Sequence, residues 1–175
     1  MSHFIPFYLD GLKKEMLLVL PGAEHADSVY FGGGTPSLLK PGQVGDLLET
    51  IDALIGINQD AEITLEANPG TVTLESLKAL HHLGVNRLSL GIQSFFDADL
   101  KTLGRIHSAA QACESIIEAQ TAGFNNISLD LIFGLPGQTL PAWEQNLEQA
   151  TSSGVQHLSL YSLIIEPGTP FERKV

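Results

Sequence analysis

Short apolar runs, most of them stopped by glycine or proline, recur along this chain about every 30 residues, with segments of helical period between them. The runs fall at 28–31, 62–66, 87–92, 126–133 and 157–165, and their β-branched and apolar content is that of buried parallel strands. Helices are expected at 41–55, 74–83, 108–121 and 140–152, preceded by one over 4–20 that contains Pro6 and Gly11. Within 41–55, Val44, Leu47, Leu48, Ile51 and Leu54 lie three and four apart and form one stripe. Ala112, Ile116, Ile117 and Ala119 give 108–121 its apolar face, and Trp143, Leu147 and Ala150 do so for 140–152. Thr73, with Ser76 in the first turn, is placed to cap 74–83, and Gly123 to close 108–121. Strand–helix units in this order leave few folds open. The strands pair in parallel through right-handed crossovers, and the α/β sheet either stays open or curls into a barrel. In both cases the chemistry gathers at the C-terminal ends of the strands. No linker or shift in composition interrupts the pattern, so one domain over 1–175 is expected.

Composition excludes several functions. With 43% hydrophobic and 17% charged residues the chain is an ordinary folded protein. Its net charge is -11, and its nine Lys and Arg are scattered, which argues against a nucleic-acid surface. No apolar run approaches the length of a membrane span, and residues 1–10 lack the basic-then-apolar pattern of a secretory leader. Cys113 is the one cysteine, so this chain alone forms no internal disulfide and no multi-cysteine metal site. Beside Ala112 and Ile116 it is expected to be buried and inert, and a reducing, cytoplasmic setting is the plain expectation.

Each strand ends in something polar or glycine-rich. Gly32-Gly33-Gly34-Thr35-Pro36 comes after the first, where backbone amides can approach a ligand closely and Thr35 can cap the next helix. Glu66 in Glu66-Ala67-Asn68-Pro69-Gly70 ends the second, and a carboxylate there needs a partner or a ligand. Gln93 ends the third and offers both an amide donor and an acceptor. Asp130 lies inside the apolar run of the fourth, with Arg105 of Gly104-Arg105-Ile106-His107 as a structural partner if no ligand is involved. Taken singly, each has a bland reading as a tight turn, a rim ion pair or a solvated loop residue. Together they describe a ring suited to hydroxyls, an amino group and a carboxylate, as in a nucleoside bearing an amino acid.

Four segments sharpen this. Tyr30-Phe31-Gly32-Gly33-Gly34-Thr35-Pro36-Ser37, Glu66-Ala67-Asn68-Pro69, 84–95 and 129–138 resemble, in order, the signatures of radical S-adenosylmethionine (SAM) proteins. The branch they resemble holds the oxygen-independent coproporphyrinogen oxidases and the heme chaperones called HemW. Gly104-Arg105-Ile106-His107 and the stretch 158–171 are more similar to the heme chaperones than to the oxidases. The resemblance implies a partial (β/α)6 TIM-like barrel. It also implies that Gly33, Gly34 and Thr35 contact the methionine part of SAM. Glu66, Gln93, Arg105 and Asp130 fall where the family contacts SAM's ribose and amino acid moiety.

Members of this family hold a [4Fe-4S] cluster with three cysteines in a CxxxCxxC motif, and the cluster donates an electron to SAM. This sequence contains no such motif. It opens on a helix with no strand before it and stops at 171–175 with nothing covering the last strand, so a core fragment missing its first strand and cluster loop is expected. The resemblance implies three candidate functions. The first is a fragment of a HemW-like heme chaperone, with SAM and haem or a porphyrinogen as partners of the whole protein. The second is a fragment of an oxidase that decarboxylates porphyrinogen propionates. The third is a non-catalytic remnant. For this chain alone the expectation is no catalytic residue, no metal site and no radical chemistry; the sequence assigns no electron donor.

Overall fold

A computed structural model describes residues 2–168 and 171–172. Thr169 and Pro170 of the 158–171 stretch, and the chain end at 173–175, lie outside the described residues. A 3-10 turn, Ser2–Phe4, leads into α1 (Ile5–Val19). The chain then runs through β1 (Ala26–Phe31), α2 (Pro41–Ile55), β2 (Ile57–Ala67), α3 (Leu74–His82) and β3 (Arg87–Gln93). Two helices come next, α4 (Asp97–Thr102) and α5 (Ala109–Thr121), and then β4 (Ile127–Phe133), α6 (Leu140–Ser152) and β5 (His157–Ser162).

All neighbouring strands pair in parallel, in the order β1-β2-β3-β4-β5. Right-handed crossovers between strands taken in sequence send every connecting helix to the same face. Accordingly α1 touches α2, α2 touches α3, and α3 touches α5. A sheet wound in one direction with helices on one side is a barrel wall, so the expected partial TIM-like barrel is present as a curled half-barrel of five strands.

The strands alternate. Ile63, Leu65, Ala67, Leu88, Leu90, Ile92, Ile127, Leu129 and Leu131 face the helices and pack on Val44, Leu77, Leu80, Ile116 and Phe124. Each large side chain buried there stabilises the fold by about 1.5–3 kcal/mol relative to leaving it in water. The opposite face is polar: Glu62, Thr64 and Glu66, then Arg87 and Ser89, Ser128 and Asp130, and Ser159 and Tyr161 fall on it by period two. The strands therefore do not have the uniformly apolar character expected of them. Among the described residues no helix is long and apolar enough to cross a membrane.

Local signals were met in part. The Thr73 side chain accepts from Ser76 N–H at 3.2 Å and caps α3, and Gly123 comes after α5 at φ 104°. Ile117 is exposed, however, and on α6 Ala150 is fully buried and Trp143 packs against the core as expected, but the polar Asn146 is buried as deeply as Ala150 and Leu147 only half-buried. Thr35 precedes the 3-10 turn Pro36–Leu38 but makes no side-chain cap.

Candidate functional site

At the C-terminal end of the sheet a cavity of about 250 Å³ is walled by Gly34, Glu66, Gln93, Arg105 and Asp130, together with Asn68, Ser89 and Tyr161. Five of the seven residues singled out from the sequence thus share one hollow. Gly33 and Thr35 do not line it. They face an adjoining apolar groove between α1 and β1, whose wall Gly34 shares. Gly33 is still joined to the site, because its N–H donates to Glu66 Oε2 at 3.1 Å.

Glu66 is held from two sides. The Tyr30 hydroxyl donates to its Oε1 at 2.8 Å, and Gly33 N–H to its other oxygen. Burial, the hydrogen bond to Glu66 and that residue's charge push the Tyr30 phenol up to about 12, so it stays a donor. Gly32 has no room for a side chain, since a Cβ there would meet the Tyr30 ring at 2.5 Å and Glu66 Oε1 at 3.1 Å. A Cβ on Gly91 would likewise meet Asn68 Oδ1 at 2.7 Å and Gln93 Nε2 at 2.9 Å. Two glycines thus bring strand backbone and polar side-chain tips together at the cavity wall.

Asp130 and Arg105 are not paired with each other. The carboxylate accepts from the Ser89 hydroxyl at 3.2 Å, and neither acid nor guanidinium belongs to an ion pair among the described residues. Burial pushes the Asp130 carboxyl above its ordinary value, against hydroxyl hydrogen bonds from Ser89 and Ser159, with the Glu66 charge acting in the same upward sense. Burial lowers the Arg105 guanidinium, although its side chain reaches the cavity from an exposed loop between α4 and α5. Two acids and a cation thus face one space without neutralising one another.

Gln93 is buried, with 7% of its surface exposed, and among the described residues nothing hydrogen-bonds its side-chain amide. Its φ is 68°. Here β3 bulges: Leu90 pairs with Leu129 and Gln93 with Leu131, three residues advancing against two. His107, buried, donates from Nε2 to Ile92 O at 3.2 Å, which fixes the proton on that nitrogen. Burial holds its imidazole below the ordinary 6.5, with nearby Arg105 acting the same way against the Ile92 bond. In the unfolded chain that ring takes up a proton at about 6.5, so below this pH the unfolded state binds more protons than the folded one. The stability that neutral His107 confers is present above about pH 6.5 and is lost progressively as pH falls below it toward the ring's lower folded-state value. Thermal melts between pH 7.5 and 5.5 should show a fall in Tm that is smaller in His107→Gln; equal slopes would refute the assignment.

Tyr30, Asn68, Ser89 and Tyr161 were not among the residues singled out. Ser89 had a signal: it pairs with Glu66 across the β2–β3 ladder and so shares its face. Cys113 is half-buried rather than buried, and its Sγ accepts from Gln149 Nε2 at 3.4 Å. It stands on α5, on the helix side of the sheet. Among the described residues no three His, Cys, Asp or Glu gather into a metal site. This donor set does not fit an iron–sulfur cluster.

The radical SAM superfamily profile matches residues 12–150. The heme chaperone HemW of Bacillus subtilis is 42% identical over 173 residues, covering 97% of this chain and 46% of that protein. The mitochondrial radical S-adenosyl methionine domain-containing protein 1 of mouse is 44% identical over 153 residues, 87% of this chain and 35% of its own length. Among solved structures, the radical SAM enzyme coproporphyrinogen III oxidase (HemN) of Escherichia coli superposes with a TM-score of 0.90 at 29% identity, covering all of this chain and 41% of that one. The chain spans less than half the length of these relatives. With a one-way wound half-barrel, a polar hollow at its strand ends and a profile match over most of its length, the chain belongs to the radical SAM superfamily.

Proposed function

We propose that residues 1–175 form a single partial core domain of a HemW-like heme chaperone, and that Gly33, Gly34, Thr35, Glu66, Gln93, Arg105 and Asp130 hold SAM. The observation that carries this is the set of unspent polar groups around one cavity: among the described residues Arg105 and Asp130 stand outside any ion pair and the Gln93 amide has no partner. An amino acid zwitterion and a ribose present complementary groups: a carboxylate for a guanidinium, an ammonium for a carboxylate, and hydroxyls for an amide and an acid. Bound there, SAM would supply a reducible sulfonium. This chain's residues bind it, orient it and wall it from water. No step is assigned to a cluster, whose ligands this chain does not offer.

The heme-chaperone reading is supported by the identity to HemW, and haem or a porphyrinogen is then the partner of the longer protein. The fold match to HemN favours a second reading, a fragment of a porphyrinogen-decarboxylating oxidase. Haem retention without porphyrinogen turnover by a longer form supports the first, and turnover the second. A cytoplasmic setting belongs to the proposal and is supported by the lone thiol. Calorimetric titration of this chain with SAM is expected to give saturable one-to-one binding. No heat up to about 1 mM ligand would place any affinity too weak to matter and sink the reading.

A further inference from the structure

At the end of β3 the backbone adopts a costly shape. Gln93 is the one non-glycine residue with positive φ among the described residues. Ser94 N–H closes onto Ile92 O, two residues back, at 2.9 Å. An i to i+2 bond around a residue at φ 68° is the γ-turn of positive φ, rare because it crowds the central side chain. Such strain persists only where the surroundings over-determine it.

Here two buried side chains pin the turn from either side. His107 reaches back from the α4–α5 loop to take the second lone pair of the same Ile92 oxygen. Asn146 of α6 accepts Phe95 N–H at 2.7 Å and the Ser94 hydroxyl at 3.1 Å on its Oδ1, while its Nδ2 donates to Ala142 O at 3.2 Å. The Ser94 hydroxyl is shared with Asp99 Oδ2 at 2.7 Å, which ties α4 to the same knot. The residue so held is Gln93, whose amide, unpartnered among the described residues, helps wall the cavity.

We propose that His107 and Asn146 are positioning residues, which hold Gln93 in a strained γ-turn so that its amide is presented to the ligand. The ligand half of this rests on the SAM reading above; the strain half does not. The test is a double-mutant cycle of wild type, His107→Phe, Gln93→Gly and the double variant, with His107→Gln as the form that keeps an N–H donor. Glycine adopts φ 68° without penalty, so Gln93→Gly should raise Tm by about 3 °C in the wild-type background. In His107→Phe, where the turn has relaxed, it should leave Tm unchanged. SAM affinity by calorimetry should fall about tenfold in His107→Phe, as for one lost hydrogen bond in the complex. It should return in His107→Gln, and should fall no further when His107→Phe is added to Gln93→Gly. Equal Tm gains in both backgrounds, or additive losses of affinity, overturn the proposal. If wild type binds no SAM, the reading of the ligand fails, and the Tm cycle alone then decides the strained turn. Should His107→Phe not fold, Asn146→Ser takes its place in the same cycle.

Discussion

Glu66→Gln is expected to weaken SAM binding by roughly tenfold to a hundredfold while the chain stays folded, because a hydrogen bond to a charged group contributes about 1.5–3 kcal/mol. The glutamine has nearly the same shape and keeps one carbonyl oxygen for either the Tyr30 hydroxyl or the Gly33 N–H, but not for both. It also removes one of the two negative charges facing the cavity. Tm should barely move, since the residue is half-buried at an open rim. A second readout is independent of ligand. With the carboxylate gone, the Tyr30 phenol loses two of the causes that push it up to about 12, so its ultraviolet titration should shift to lower pH. An affinity equal to wild type would remove Glu66 from the binding set.

Asn146→Leu is expected to cost about 3 kcal/mol of stability, on the order of 6–12 °C in Tm for a chain of this size. Asn146 is fully buried, and its Oδ1 is the acceptor for Phe95 N–H. Leucine fills the space but leaves that backbone donor without a partner in a place water does not reach, and frees Ala142 O and the Ser94 hydroxyl from their bonds as well. Surface replacements nearby, such as Glu148→Gln, should change stability by no more than about 0.5 kcal/mol. A loss below about 1 kcal/mol for Asn146→Leu would show that the β3 end is held by other means.

Much of the fold could be read from the sequence because its strands and longer helices carry their own periodicity. The α2 stripe and the Thr73 cap are local facts, and the structure repeats them. Where the reading fell short, the decisive interaction was distant. β2 starts at Ile57, five residues before its apolar run, because Ile57 pairs with Ala26 across an irregular register. β5 ends at Ser162 although Leu163, Ile164 and Ile165 continue the apolar run, since only Leu163 N–H still reaches Phe133 O. α4 spans six residues, too short for a helical period to show. In the site, the acids, the amide and the arginine were visible as polar residues at strand ends. Their pairing was not: Asp130 lies with Ser89 rather than with Arg105. A positive φ at a glutamine has no sequence signal at all, and the asparagine that secures it lies more than 50 residues further on.

The one-way winding divides this molecule for anyone who wishes to attach something to it. Every return from helix to strand, at 20–25, 56, 83–86, 122–126 and 153–156, sits at the end of the sheet opposite the cavity. A fluorophore, tether or affinity tag placed in the longer of those returns would leave the polar hollow untouched, and a signal from it would report unfolding alone. The strand-to-helix loops at the other end would report occupancy. Because Cys113 is the single native thiol and is half-buried, replacing it with alanine would leave a background in which one new cysteine at either end can be labelled cleanly.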